Sequence, residues 1–307
     1  MLMEERDGSV IITEAHWQRL WEKSAIGQRI QGGGLRLQPE EVIYSHVHRH
    51  QTLPYDKWIS DQILKDDTLL NRYIILESLR VPGNLIVILN HDGINWDYSD
   101  NSWALRWHKE KHPDKDQPTS EIRWHHALES IDTIELYSWC KSVTQRGRIP
   151  EILVIDDEGS VVTYEISIAN PTGNIDMSDL DNIGVNTTFT KRYSDVEKDL
   201  ISGHSNNELT TVLDDLHHRG LYIRSGFKYG TRWRGYEDEI TSSHAPWLID
   251  SLQDSPQNWT DACLNARLAA GVNKRYIVAV LSEEDDIKYL EYRRPPSDRR
   301  WTNLEKH

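Results

Sequence analysis

Between Arg219 and Arg234 the chain carries five cations, Arg219, Arg224, Lys228, Arg232 and Arg234, and no acid. Tyr236 closes this run and His244 follows eight residues later, within "GFKYGTRWRGYEDEITSSHAPW". A phenol and an imidazole can exchange protons, and clustered guanidinium and ammonium groups can hold an anion such as phosphate. A solvated basic patch is the plain alternative. The background is acidic: 35 Lys and Arg against 49 Asp and Glu give a net charge of −14. That sign disfavours nucleic acid as a general partner, so any such contact has to rest on local patches.

The elements that must position these residues come next. At 307 residues the chain is too long for one ordinary domain and suits two to four small ones. A hydrophobic fraction of 37% is enough to bury cores, and no run of 18 apolar residues predicts a membrane span. The acidic start "MLMEERDGSVIIT" predicts no signal peptide. The two cysteines, Cys140 and Cys263, cannot build a disulfide framework, so a reducing cytoplasm is expected.

An internal repeat organises the chain. "ILESLRVPGNLIVI" (75–88) and "VLDDLHHRGLYIRS" (212–225) both read as a helix end, a Gly stop and a short apolar strand. Leu79 and Gly83 map to Leu216 and Gly220 at an offset of 137 (216 − 79), and Trp96 maps to Trp233 at the same offset. Trp124 maps to Trp247 and Cys140 to Cys263 at an offset of 123 (263 − 140). The difference, 14, is read as an insertion in "NSWALRWHKEKHPDKDQ", taken as a polar loop. Both copies end on strand, acidic turn, strand. The equivalent helix cysteines are expected in the cores. The predicted fold class is α/β (α+β), a tandem duplication in which a small N-terminal α/β subdomain precedes a nuclease-like domain with a mixed sheet and flanking helices. The boundaries are 1–70, 71–169, 170–210 and 211–307, with "ANPTGN" as the linker between the halves. In the first leader, "SVIIT" reads as a strand, "EAHWQRLWEKSAI" as an amphipathic helix and "LQPEEVIYSHVH" as a helix with Pro in its first turn.

The copies differ where chemistry would sit. At these offsets Tyr236 faces Ser99, His244 faces Glu121, Lys274 faces Glu151 and Arg267 faces Thr144. One copy thus holds Tyr, His, Lys and Arg where the other holds none of them.

"GFKYGTRWRGYEDEITSSHAPW" followed by "NARLAAGVNKRYIVAV" resembles the catalytic C-terminal domain of the archaeal tRNA-splicing endonucleases. The matching positions are Gly226, Phe227, Lys228, Tyr229, Gly230, Trp233, Tyr236, His244, Pro246, Arg267, Gly271, Val272 and Lys274. The resemblance covers roughly the last 90 residues strongly and the first half weakly. It departs from the family pattern in the short Tyr236-to-His244 stretch and at Asn273, where a basic residue is frequent. The resemblance implies that Tyr236 is the base on a ribose 2′-OH, His244 the acid on the leaving 5′-oxygen and Lys274 the electrostatic stabiliser. These residue types can fill those roles without metal. An ordinary phenol, pKa near ~10, is a poor base at neutral pH, and a crowd of cations favours its phenolate. The products implied are a 2′,3′-cyclic phosphate and a 5′-hydroxyl. The resemblance further implies a precursor tRNA with a bulge–helix–bulge motif as partner. Arg267 and either Arg293 or Arg294 would grip a bulge base, strand alternation allowing only one of the last two to face the cleft. Lys228, Arg232 and Arg234 would meet phosphates. A homodimer would form through the acidic turn Asp156, Asp157 and Glu158 of the inactive copy, which also reads as an ordinary hairpin turn.

Other readings compete. The chain could be a non-catalytic RNA-binding or assembly subunit. "DDIK" at 285–288 is a short match to a metal-dependent restriction-type nuclease. His46, His48 and His50 would share one face of a strand as metal ligands, but the segment reads as a helix end with no partner ligand, so no metal and no cofactor are expected. The pairs at 125–126 and 217–218 read as surface histidines.

Overall fold

The computed structural model describes residues 2–4, 7–13, 17–89, 95–176, 182–203, 207–240, 244–281 and 286–295. The chain divides into two compact units, one of residues 1–127, 142–165 and 295–307, the other of residues 128–141 and 166–294. Residues 128–141 therefore group with the second unit, which a simple cut at 169 does not foresee. In chain order the first half contributes β1 (Leu2–Glu4), β2 (Val10–Ile12), α1 (Trp17–Ser24), β3 (Gln28–Arg29), β4 (Leu35–Leu37), α2 (Pro39–Arg49), α3 (Trp58–Lys65) and α4 (Leu69–Arg80). It continues with β5 (Leu85–Ile88), β6 (Ala104–Trp107), β7 (Ser120–His126), α5 (Thr133–Gln145), β8 (Ile149–Ile155) and β9 (Val161–Ala169). The second half contributes β10 (Val185–Asn186), β11 (Lys191–Arg192), α6 (Asp195–Ile201), α7 (Glu208–His218), β12 (Tyr222–Ser225), β13 (Trp233–Tyr236), β14 (Trp247–Asp250), α8 (Trp259–Gly271), β15 (Arg275–Leu281) and β16 (Ile287–Arg293). Among the described residues no helix is long and apolar enough to cross a membrane.

The first unit opens on an antiparallel sheet of order β1-β2-β4-β3. Helix α2 starts where Pro39 pre-sets its first turn and Glu41 reaches back to the Gln38 N–H at 3.0 Å. The buried Arg80 guanidinium donates to the carbonyls of Ser24, Ala25 and Ile86 at 2.6, 3.0 and 2.7 Å, tying α4 to the turn after α1. Trp58, Ile75, Leu76, Leu79, Ile86 and Trp107 belong to one continuous core.

The strands that follow have the same plan in both units. In the first, β9-β8-β7-β6-β5 are neighbours in that order, with β7 and β8 parallel and the other pairs antiparallel. In the second, β16-β15-β14-β13-β12 repeat the order, with β14 and β15 parallel. A parallel pair needs a crossover. Helices α5 and α8 supply it, each 13 residues long. Asn258 caps α8 by accepting from Asp261 N at 3.0 Å. The buried residues Trp259, Ala262, Ala266 and Ala269 recur at helical spacing, and the alanines leave room for close packing on the sheet.

The ladders correct the sequence alignment of the repeats. Leu85 pairs with Trp107 as Tyr222 pairs with Tyr236, so Trp107, not Ser99, stands where Tyr236 stands. Arg106 pairs with Ser120 as Gly235 pairs with Trp247, so three residues upstream Gln117, not Glu121, takes the place of His244. Ser120 pairs with Ile149 as Trp247 pairs with Arg275, so Arg148, not Glu151, takes the place of Lys274. Helices 133–145 and 259–271 align end to end, which sets Lys141 opposite Arg267 and separates the two cysteines by one turn. Cys140 is buried and Cys263 only half-buried. The error has one source. The supposed polar loop contains the fully buried strand β6, and the extra length lies chiefly in the β5–β6 connection, 89–103 against 226–232.

The cation at the Lys274 position is therefore locked rather than missing, and a second, Arg106, is locked beside it. Arg148 donates to Glu121 at 2.8 Å and to the Asp97 carbonyl at 2.6 Å. Arg106, fully buried, holds Glu151 through its Nε at 2.8 Å and donates to Ser120 at 2.8 Å. Breaking such a buried pair from one side costs about 3–5 kcal/mol. The Trp107 indole N–H donates to the Asp116 carbonyl at 2.9 Å.

The histidine expectations divide. His46, His48 and His50 lie on or cap the end of α2; His48 bonds Glu77 at 2.6 Å and His46 faces the Gln51 carbonyl at 2.8 Å. His125 and His126 are half-buried and His218 is exposed, but His217 is buried against its expected surface position, because the helix turns it inward beside Leu213 and Leu216. In "DDIK", Asp285 lies outside the described residues, and Lys288 pairs with Asp286.

Candidate active site

Three neighbouring strands bring the candidate residues to one end of the second unit's sheet. Tyr236 is the last residue of β13, and its neighbour Gly235 pairs with Trp247 at the start of β14. His244 lies three residues before Trp247, and Lys274 immediately precedes β15, whose first residue, Arg275, also pairs with Trp247. Because β13 runs antiparallel to β14 while β15 runs parallel to it, the end of one strand meets the beginnings of the other two. Adjacent strands lie about 4.8 Å apart, so the three backbones converge within roughly 10 Å.

The local contacts are consistent with that convergence. The Lys274 ammonium donates to the Ala245 carbonyl, one residue from His244, and the Arg275 N–H donates to the Pro246 carbonyl at 2.8 Å. His244 is exposed, Lys274 half-buried and Tyr236 buried. Tyr236 packs edge-on against Tyr222, ring centroids 6.5 Å apart, and the Arg234 guanidinium lies 5.7 Å from its ring centre.

Backbone turns set the lysine. Helix α8 ends at Gly271, and Asn273 takes a left-handed φ of 52° before Lys274 leads into β15. In the first unit Gly147, φ 70°, makes the same turn before Arg148. Asn is among the few residues that tolerate this region. The Phe227–Tyr229 turn closes on Gly230, φ 73°, and sets the Tyr229 ring 5.2 Å from the Lys274 ammonium. Phe227 is left 88% exposed, an aromatic face open to stacking.

A small cleft of about 220 Å³ beside Lys274 is lined by Ala266, Ala270, Arg293 and Arg294, with Arg275 and Glu291 among its other walls. Both Arg293 and Arg294 line it, against the expectation of only one, because β16 ends at Arg293 and strand alternation no longer governs Arg294. Arg275 neutralises Glu291 with two bonds of 2.9 and 2.6 Å. Arg267 is exposed on α8 next to the cleft residue Ala266 but does not itself line the cleft. The helix stops before Lys274, so helical spacing does not carry from one to the other.

The remaining basic residues are not equivalent. Lys228 is exposed and Arg234 half-buried. Arg232 is held bidentately by Asp254 at 2.7 and 2.8 Å, so its charge is already matched. Sequence reading missed the group beneath. Asp250 accepts from the Arg232 N–H at 2.6 Å and from the Tyr276 hydroxyl at 2.9 Å, and burial pushes its carboxyl up to about 6. Nothing in its sequence neighbourhood marks a buried acid, since its partners lie 18 and 26 residues away.

In the first unit the acidic turn also sorts itself. Asp156 is half-buried and its Oδ1 accepts from the N–H groups of Glu158 and Ser160 at 3.0 and 2.8 Å, so it builds the turn. Asp157 and Glu158 are exposed, and Asp157 meets His126 at 3.1 Å. In the second copy, Glu283 to Asp285 lie outside the described residues.

Comparison with known proteins adds a family match over part of the chain. Residues 207–289 match the family described as tRNA intron endonuclease, catalytic C-terminal domain. The chain is 35% identical over 85 residues to a tRNA-splicing endonuclease of Methanopyrus kandleri, covering 27% of this chain and 48% of that protein. It is 33% identical over 104 residues to the tRNA-splicing endonuclease of Thermococcus gammatolerans, covering 32% and 61%. It is 34% identical over 101 residues to that of Thermoplasma volcanium, covering 33% and 34%. The chain thus spans about half the length of the first two relatives it matches, and the family match at 207–289 falls on the segment that carries the resemblance read from the sequence.

Proposed function

We propose that the chain is a tRNA-intron endonuclease that cuts precursor tRNA at bulge–helix–bulge sites by attack of the ribose 2′-OH. The observation that carries this reading is the meeting of Tyr236, His244 and Lys274 at one end of three adjacent strands, inside the segment that matches the catalytic domain. In this reading Tyr236 takes the proton from the 2′-OH and His244 gives one to the departing 5′-oxygen. Lys274 stabilises the charge that builds on the phosphorus oxygens between them. The P–O5′ bond breaks as the 2′-oxygen bonds to phosphorus, leaving a 2′,3′-cyclic phosphate and a 5′-hydroxyl. The nucleophile comes from the RNA and the proton carriers from the protein, so the residues suffice without a metal.

Lys228, Arg234, Arg293 and Arg294 are assigned to phosphates and to a bulge base, with Arg267 at the cleft's rim; Arg232 contributes less because Asp254 holds it. The first unit, with Trp107 and Gln117 in place of Tyr and His, is read as an inactive copy, and two chains as a homodimer docked through Asp157 and Glu158. Residues 1–70, 71–169, 170–210 and 211–307 are kept as the working division of the repeats, and the cytoplasm as the compartment. A cleavage assay on a bulge–helix–bulge RNA with EDTA present tests the whole reading. Cuts at both junctions are expected. Binding without cleavage would make the chain an assembly subunit, and cleavage only after added Mg²⁺ would make it a metal nuclease.

A further inference from the structure

A cavity of about 510 Å³ opens within the second unit, between the β10–β11 hairpin, the first turn of α6 and strands β12 and β13. That size falls in the range of small-molecule sites. None of Tyr236, His244 and Lys274 lines it. Its charged lining is Arg192, Arg224, Arg232 and Glu197. Two of these are committed. Arg232 is forked onto Asp254. Glu197 accepts from the N–H groups of Gly184 and Ser194 at 3.1 and 2.7 Å and from the Ser194 hydroxyl at 2.8 Å, which closes the cap of α6.

Arg192 and Arg224 remain. Among the described residues neither has a carboxylate within ion-pairing distance. Arg192 is exposed. Arg224 is half-buried and donates to the carbonyl of its own neighbour, Ile223, at 2.8 Å. Its guanidinium lies 3.7 Å from the Tyr222 ring centre, a favourable cation–π contact. Two features work against it. It stands directly opposite Arg234 across the β12–β13 ladder, where like charges repel, and burial lowers it to about 10. Glu197, in the same cavity, partly offsets both effects, and the positive charge that Arg192 and Arg224 together leave over is what an anion would meet. The rest of the lining includes the apolar Tyr193, Val196, Ile223 and Trp233, together with Thr187 and Ser194. Aromatic and aliphatic surface beside paired arginines fits a nucleobase next to a phosphate.

We propose that this cavity seats one nucleotide unit, its phosphate between Arg192 and Arg224 and its base against the wall of Tyr193 and Val196. The unit is either a free nucleotide or one residue of an RNA strand, and neither case depends on the cleavage reading. Calorimetric titration of the full chain with adenosine 5′-monophosphate, inorganic phosphate and a short single-stranded oligoribonucleotide tests it. At least one nucleotide-bearing probe should bind the parent and bind about 10- to 100-fold more weakly to Arg192→Gln and to Arg224→Gln, the loss expected for one charge-assisted hydrogen bond. Arg224→Lys should recover part of the loss. Binding of the monophosphate identifies a free-nucleotide site; binding of the oligoribonucleotide alone identifies a strand subsite. Arg192 is exposed, so its variant reports on the site even if Arg224→Gln unfolds. The proposal is overturned if neither nucleotide probe binds the parent, if Arg192→Gln binds as the parent does, or if inorganic phosphate binds as tightly as the nucleotide probe that binds.

Discussion

In the proposed reading a single imidazole separates an enzyme from a binder. His244 is exposed at the sheet end, beside the Ala245 carbonyl that holds Lys274. If it donates the proton to the leaving oxygen, His244→Ala should lower the single-turnover cleavage rate by about 10²–10⁴-fold while RNA binding stays within a few-fold. Cleavage near the parent rate would remove His244 from the chemistry. The types and order of Tyr236, His244 and Lys274 were legible from the sequence because their spacing fits a known pattern. The matching of Arg232 by Asp254 was not, since the partner lies 22 residues on and the pairing is made only by folding.

At the scale of elements, the turn after α8 aims the lysine. Asn273→Gly, which suits the left-handed region, should keep stability and activity. Asn273→Val should cost about 1–2 kcal/mol in a denaturant midpoint and lower cleavage as Lys274 shifts. Equal midpoints for the two variants would show that the turn carries no strain. Two buried groups give the second unit opposed pH responses. Burial lowers His217 in α7 to about 4. The unfolded chain takes up that proton below about 6.5 and the folded chain does not, so this contribution is present above 6.5 and is lost as pH falls toward 4. Asp250 in β14, raised to about 6, does the reverse: its contribution is present below 3.8 and lost as pH rises through 6. Each amounts to about 3 kcal/mol. Relative to the parent, His217→Gln should gain stability on acidification from 6.5 to 4, and Asp250→Asn should gain it as pH rises from 4 to 6. Urea midpoints at several pH values that run parallel for all three proteins would contradict both assignments. The sequence announced most of the strands and the helices before and after them. It hid β6, because "ALRW" sits in a mostly polar stretch, "NSWALRWHKEKHPDKDQ", and its four side chains are buried by the fold. Missing that strand shifted the repeat alignment by several residues, and with it the identity of Trp107 and Arg148.

For the whole molecule, the proposed reading gives assembly to the first unit, which shares the strand plan of the second without its Tyr and His. Asp157 and Glu158 are the turn carboxylates that project outward, whereas Asp156 holds the turn together. Asp157→Ala with Glu158→Ala should weaken a dimer by about 2–5 kcal/mol and reduce cleavage without unfolding the chain. Asp156→Ala should instead lower stability. Sedimentation that finds the double variant as tightly dimeric as the parent would move the interface elsewhere. The central claim, strand scission by protein side chains acting on the RNA's own 2′-OH, is tested most directly by the ends of the products. A bulge–helix–bulge RNA cut in excess EDTA should yield 2′,3′-cyclic phosphate and 5′-hydroxyl termini. A 5′-phosphate with a free 3′-hydroxyl, or no product until a divalent metal is restored, would contradict it.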